Sequence, residues 1–246
     1  MNRVAVIGGT GLDRLDSLEI TQQRQLQTPF GAPSAALVVG ELAGIEVIFL
    51  ARHGTDHSIP PHLVNYRANL WALHQQQVDC VLAVAAVGSI SDELSPGCLA
   101  VPEQLIDYTY GREHTYSDGT RGQVDHIDFS FPYHEPLRRR LLAAAAAASV
   151  PCIDHGVYGA TQGPRLETAQ EIRRMQRDGC TMVGMTGMPE AALARELELP
   201  YACCAVVANH AAGRSTGVIS MQEIERNLLT GMQGFKRLLP AFLAQG

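Results

Sequence analysis

The chain has 246 residues, 46% of them apolar, which suits one large α/β domain with a buried core. A formal net charge of -6 without any block of like charges argues against nucleic acid or an anionic membrane as the main partner and favours small molecules. No apolar run is long enough to span a bilayer, and Met1-Asn2-Arg3 leads straight into Val4 to Ile7 without a leader-like segment, so a soluble cytoplasmic protein is expected.

Val4 to Ile7 reads as a buried strand that ends in Gly8-Gly9-Thr10-Gly11, a turn able to wrap an anion with backbone N–H groups. It is not a dinucleotide fingerprint, because Arg14 stands where the third glycine belongs. Thr28 to Ser34 is a turn before two β-rich runs, Ala36 to Val39 and Ile45 to Leu50, which the short Glu41 to Gly44 link joins as a hairpin. Val64 to Leu73 has helical spacing behind Pro60-Pro61. Val78 to Val87 is almost continuously apolar, as a parallel strand covered on both faces should be, and ends in Gly88-Ser89.

Cys98 to Ile106 predicts two short strands, and Asp107 to Phe131 is a long aperiodic segment suited to a functional loop or a subunit contact. Leu137 to Ser149 is an alanine-rich helix, Val157 to Thr161 a strand, and Gly163-Pro164-Arg165 a turn into a helix near Thr168 to Arg177. A strand over Cys180 to Val183, a helix over Pro189 to Leu197 and a strand over Tyr201 to Ala208 follow. Ser220 to Leu243 is a last helix, with Ser220 as its cap and Glu223 near its first turn. The alternation predicts an α/β fold with a central mixed sheet flanked by helices.

Polar or glycine-rich segments therefore follow strand after strand: Gly8 to Gly11, Arg52 to His57, Ala85 to Ser89, Gly184 to Thr186 and Ala208 to Gly213. If these strand ends share one edge of the sheet, they build a single pocket. The Arg52-His53-Gly54 run suits an anion, with planar guanidinium donors beside a glycine that lets backbone approach. Six cysteines show no C-x-x-C spacing and sit in apolar surroundings, so they read as reduced core residues. His53 and His57 have helical metal-pair spacing, but Gly54 and the following prolines oppose a helix there, and no metal site is expected.

Taken together, Ile7 to Leu12, Arg52-His53-Gly54-x-x-His57, Val64-Asn65-Tyr66-x-Ala68-Asn69, Val87-Gly88-Ser89, Gly163-Pro164-Arg165 and Met185-Thr186-x-x-Pro189-Glu190-Ala191 resemble the methylthioadenosine phosphorylase branch of the trimeric purine nucleoside phosphorylases. The resemblance runs from the first strand to the last helix. It implies a homotrimer in which inorganic phosphate, a co-substrate, attacks C1′ of a purine nucleoside without metal or organic cofactor. Carried over by position, it implies that Thr10, Arg52, His53, the backbone at Ala85 and Ala86, and Thr186 hold phosphate. Met185 would lie against the ribose, His57, Met221 and Ile224 would line the 5′ pocket, and Glu167, Asn209 and Ala211 would face the base. Arg52, His53 and Asn209 would then carry the catalysis, stabilising an anion on one side of a cationic ribosyl ring and the departing base on the other.

The departures from that family sharpen the expectation. Methylthioadenosine phosphorylases resembling this chain carry Asp at the positions of Asn209 and Ala211, whereas inosine and guanosine phosphorylases use an Asn like Asn209 and a Glu placed like Glu167. An ionised Glu167 accepts from the N1–H of a 6-oxopurine, while the Asn209 amide donates to O6 and its carbonyl meets a protonated N7. Adenine inverts both edges, a mismatch worth ~10⁴-fold in discrimination. Apolar Met221 and Ile224 favour a methylthio group over a 5′-hydroxyl by roughly 1 to 2 kcal/mol. The expected reaction is phosphorolysis of 5′-methylthioinosine. The alternatives are an inosine or guanosine phosphorylase, a methylthioadenosine phosphorylase, a phosphate-independent nucleoside hydrolase and a non-catalytic nucleotide-binding protein. By sequence, His210 fits a pocket or a solvated loop equally, and His126 and His134 lie in the segment that in the family approaches a neighbouring subunit's site.

Overall fold

The computed structural model describes residues 1–12, 14–117, 119 and 124–245, and its strands are ordered around two of the most apolar runs in the sequence. Strand β1 (Arg3–Gly8) lies between β4 (Ile45–Ala51) and β5 (Cys80–Ser89), parallel to both. Beyond β4, β3 (Leu37–Leu42) and then β2 (Glu19–Arg24) follow in antiparallel order, so the hairpin expected from the Glu41 to Gly44 link is present. On the far side of β5, β11 (Tyr201–His210) runs parallel to it, while β10 (Met182–Gly184) pairs antiparallel with the last residues of β5 on the edge that β1 takes earlier. Strands β9 (Val157–Ala160) and β7 (Gln104–Asp107) continue in parallel from β10, and the short β6 (Leu99–Ala100) and β8 (Cys152–Ile153) continue from β11. Among the described residues all eleven strands form one mixed sheet, the α/β architecture expected from the alternation.

Period-2 geometry sorts each central strand between two cores. Val81, Ala83, Ala85 and Val87 of β5 and Tyr201, Cys203, Ala205 and Val207 of β11 face one side. That side is covered by α1 (Tyr66–Gln75) and α4 (Gly187–Glu196). Cys80, Leu82 and Val84, with Ala202, Cys204 and Val206, face α2 (Glu135–Ala147) and α5 (Met221–Leu243) on the other. Adjacent Cys203 and Cys204 thus lie on opposite faces, and all six cysteines are free. Burial pushes the Cys80, Cys152 and Cys203 thiols up to about 12, which leaves them protonated packing groups.

Helix starts follow local chemistry. The Asn65 side chain accepts from the Ala68 N–H at 3.1 Å and starts α1. Thr168 and Glu171 form a reciprocal capping box at α3 (Ala169–Arg177).

Several boundaries depart from the sequence expectation. Ser220 occupies the cap position of α5 but makes no side-chain cap bond. Strand β2 was not expected, because Glu19–Arg24 is mostly polar and almost wholly exposed and is ordered chiefly by edge pairing with β3. Strand β10 starts at Met182 rather than Cys180, and β11 extends to His210, two residues past Ala208. A bulge at Ala208 makes that extension possible and sets Asn209 opposite Gly88. The aperiodic Asp107 to Phe131 segment begins at the end of β7, and its residues 118 and 120–123 lie outside the described residues.

Candidate active site

A gap in the sheet creates the site. Strand β1 pairs with β5 only as far as Ala83, and β10 joins β5 only from Gly88, so Val84 to Val87 have no strand along that edge. Unpaired strand backbone needs other partners. One comes from Arg52, just past the end of β4, whose Nη1 donates to the Val84 carbonyl at 2.9 Å. Around this gap lies a cavity of about 430 Å³, and its walls include residues from each of the strand-end segments that the sequence pointed to.

The cavity wall includes Gly9, Thr10, Arg52, His53, His57, Ala85, Ala86 and Thr186. Arg52 is 1% exposed and forms a bidentate pair with wholly buried Glu190, Nε to Oε2 at 2.7 Å and Nη2 to Oε1 at 2.8 Å. Tyr201 also donates to Glu190 Oε1 at 2.9 Å. Burial alone would lower the guanidinium's proton affinity, but the Glu190 carboxylate outweighs burial and raises that affinity above its ordinary value. A guanidinium has five N–H donors, so after these bonds Nη1 and Nη2 each retain one.

Gly9 is required by close approach. A Cβ there would stand 2.6 Å from the Val84 oxygen and 2.8 Å from Arg52 Nη1. His53 Nδ1 lies 2.8 Å from the Ile59 carbonyl, which only accepts, so Nδ1 carries the hydrogen. His57, at φ +56°, sets its ring 4.8 Å from that of His53 and Nε2 3.4 Å from Thr10 Oγ1. It lines the same cavity as Met221 and Ile224. Thr186 opens α4 without using its side chain as a cap.

The same wall carries Glu167, Asn209 and Ala211, with Met185 and Gly184. Glu167 lies before the Thr168 cap rather than inside the first turn, where Glu171 takes the acidic place, so Glu167 is not spent on helix initiation. Its Oε1 accepts from Thr161 Oγ1 at 2.7 Å. Asn209 Nδ2 donates to the His210 carbonyl at 2.7 Å, which fixes the amide orientation and leaves its oxygen and second N–H available. Glu167 and Asn209, 42 positions apart in sequence, line one cavity. From α5, exposed Met221 and buried Ile224 line the apolar side with Leu228.

His210 is half-buried and faces Ser89 Oγ at 3.1 Å, outside the cavity wall and not in a solvated loop. His134 precedes α2 and lines a separate cleft. Among the described residues, no group of three or more His, Cys, Asp or Glu comes together as a metal site.

Sequence reading gave no role to Glu190, Thr161 or Arg112. The Arg112 guanidinium is buried, donates to the carbonyls of Met185, Met188, Thr161 and Gln162, and so ties the segment before Glu167 to the segment carrying Met185. Leu228 had a legible signal, lying one helical turn beyond Ile224. Glu190 and Arg112 had none, because their partners are remote in sequence.

A model described as the phosphorylase superfamily matches residues 3–244. The chain belongs to the phosphorylase superfamily. Within this superfamily it is 56% identical over 244 residues to a probable S-methyl-5′-thioinosine phosphorylase of Pseudomonas syringae pv. tomato, covering 99% of each chain. It is 43% identical over 229 residues to the 6-oxopurine nucleoside phosphorylase of Pyrococcus furiosus, covering 91% of this chain and 85% of that one. Among solved structures, methylthioadenosine phosphorylase from Schistosoma mansoni in complex with adenine superposes with a TM-score of 0.94 at 31% identity, over 100% of this chain and 92% of that chain.

Proposed function

We propose that the protein catalyses phosphorolysis of 5′-methylthioinosine, releasing hypoxanthine and 5-methylthioribose 1-phosphate. The observation that carries this reading is one cavity whose wall holds both a buried, carboxylate-locked Arg52 and the Glu167 and Asn209 side chains. The probable S-methyl-5′-thioinosine phosphorylase that it resembles supports the same substrate.

In this reading Thr10, Arg52, His53, Thr186 and the main chain at Ala85 and Ala86 hold inorganic phosphate below the sugar. A phosphate oxygen forms its bond to C1′ as the C1′–N9 bond breaks, and the bonding pair leaves with the purine. The developing charge on the base is relieved by protonation at N7, the proton being the one that monohydrogen phosphate gives up to solvent on becoming the 1-phosphate ester. Asn209 Oδ1 accepts from that N–H, and its second amide hydrogen donates to O6, because the first is held by the His210 carbonyl. Glu167 accepts from N1–H, and Met185 packs on the ribose. Preorganised donors at both ends stabilise separated charge that exists only in the transition state. Ile224, Leu228 and Met221 present apolar surface to the 5′-methylthio group. Phosphate enters as a second substrate, and the reaction so described uses no cofactor.

The 6-oxopurine nucleoside phosphorylase of Pyrococcus furiosus favours one second reading, inosine or guanosine as substrate. The same proposal carries a cytoplasmic homotrimer; no described helix is long and apolar enough to cross a membrane. Sedimentation velocity tests the trimer.

The deciding experiment assays methylthioinosine, methylthioadenosine and inosine side by side, with and without phosphate. Phosphate-dependent release of hypoxanthine, fastest from methylthioinosine, is expected. Equal efficiency on methylthioadenosine would defeat the base assignment, and turnover without phosphate would make the protein a hydrolase.

A further inference from the structure

The hydrogen bond behind Glu167 carries a further inference. Thr161 ends the turn-side of β9 with its backbone fixed: its N–H donates to the Gly184 carbonyl at 2.8 Å, and its own carbonyl accepts from Arg112 Nη2 at 3.1 Å. Its side chain is buried and does not line the cavity; it lines the adjoining cleft, and Glu167 forms part of both walls. Thr161 therefore acts on a ligand only through Glu167.

The hydroxyl has two acceptors in reach, Glu167 Oε1 at 2.7 Å and the Gly184 carbonyl at 3.3 Å, but only one hydrogen. The shorter, charge-assisted bond takes it. Glu167 Oε2 has no hydrogen-bond partner among the described residues. The nearby cation that would otherwise compete for this carboxylate is already engaged: Arg165 forms a bidentate pair with Glu171, at 2.9 and 2.7 Å. Glu167 is thus held by a neutral donor on one oxygen rather than neutralised by an arginine.

We propose that Thr161 is a positioning residue for base selectivity, fixing Glu167 through Oε1 so that Oε2 faces the cavity as an acceptor for the lactam N1–H. This rests on the 6-oxopurine reading above. A carboxyl freed from Thr161 can turn away, or can present a proton to the bare N1 of a 6-aminopurine, so removal of the hydroxyl weakens discrimination as well as binding.

The test is steady-state kinetics on Thr161→Val, which keeps the shape and removes the hydroxyl, with Thr161→Ala as a second hydroxyl-free variant and Thr161→Ser as the rescue. For Thr161→Val the KM for methylthioinosine should rise about 10-fold with the phosphate KM unchanged, the loss expected for one charge-assisted hydrogen bond. The preference for methylthioinosine over methylthioadenosine should shrink, and Thr161→Ser should restore both values. In a Glu167→Ala background, which has no acceptor for the hydroxyl, Thr161→Val should add nothing. Wild-type kinetics in both hydroxyl-free variants, an additive effect in the Glu167→Ala background, or a serine variant as impaired as the valine one would overturn the proposal. If the unmodified enzyme releases no hypoxanthine, the functional reading fails and takes this inference with it. If it does and Thr161→Val matches it, only the role of Thr161 fails.

Discussion

Replacing Glu190 with alanine should damage the protein in two separable ways. Arg52 and Glu190 are 1% and 0% exposed and share two hydrogen bonds of 2.7 and 2.8 Å. Truncating Glu190 strands a cation among apolar strands with only the Val84 carbonyl left, and also orphans the Tyr201 hydroxyl. Breaking a buried pair on one side costs about 3–5 kcal/mol, because the remaining charge keeps its desolvation penalty. At about 2–4 °C per kcal/mol for a domain of this size, the melting temperature should fall by roughly 6–20 °C. Because Glu190 also aims the guanidinium, the phosphate KM should rise at least about 10-fold, a loss on the order of one charge-assisted hydrogen bond.

A paired replacement separates the two effects. Arg52→Met with Glu190→Met removes both charges and should recover most of the lost stability, since apolar isosteres of buried ion pairs are often neutral or stabilising. It should recover no phosphorolysis. Thermal unfolding by circular dichroism, together with phosphate-dependence kinetics, reads both arms. A Glu190→Ala protein that melts within about 2 °C of the parent, a shift of roughly 1 kcal/mol or less, with the same phosphate KM would refute the reasoning.

Other outcomes follow from single contacts. Asn209→Asp should lower kcat/KM for methylthioinosine by roughly 10²–10⁴-fold, since the new carboxylate cannot donate to O6 and faces the His210 carbonyl that the amide now bonds at 2.7 Å; hypoxanthine release measures this. Gly9→Ala should raise the phosphate KM, because its Cβ would press on Arg52 Nη1 and the Val84 oxygen; an unchanged KM would show that the fork tolerates displacement. Ile224→Thr should shift the methylthioinosine-to-inosine preference toward the hydroxyl substrate by roughly 5- to 30-fold, read from paired kcat/KM values. The Arg165 guanidinium, aided by the Thr168 N–H, lowers the Glu171 carboxyl from 4.5 to about 2. A depressed carboxyl stabilises the fold above its ordinary range and ceases to as pH falls through its folded value, so the first turn of α3 should loosen between about pH 4.5 and 2. Carbon-detected NMR titration should show Glu171 back near its ordinary range in Arg165→Ala.

The sequence by itself determined an α/β fold with a mixed sheet and the side chains available at each strand end, because apolar periodicity and strand-terminal glycines are local signals that survive without neighbours; the family was legible as a resemblance carried by ordered motifs. It could not reveal β2, whose mostly polar residues are ordered chiefly by the edge they join, nor the extension of β11, which depends on a bulge against β5. Arg52 was legible as a candidate anion ligand, but the acid that fixes it was not, since Glu190 lies 138 positions away and meets it only through packing of α4 against the sheet. The same holds for Glu167. In sequence it serves equally well as a helix-opening residue, and only the tertiary structure gives that task to Glu171, backs Glu167 with Thr161 and sets Glu167 in the wall of the cavity that Asn209 shares. Side-chain identity is a property of the chain, whereas which donor meets which acceptor is decided by distances that exist only after folding.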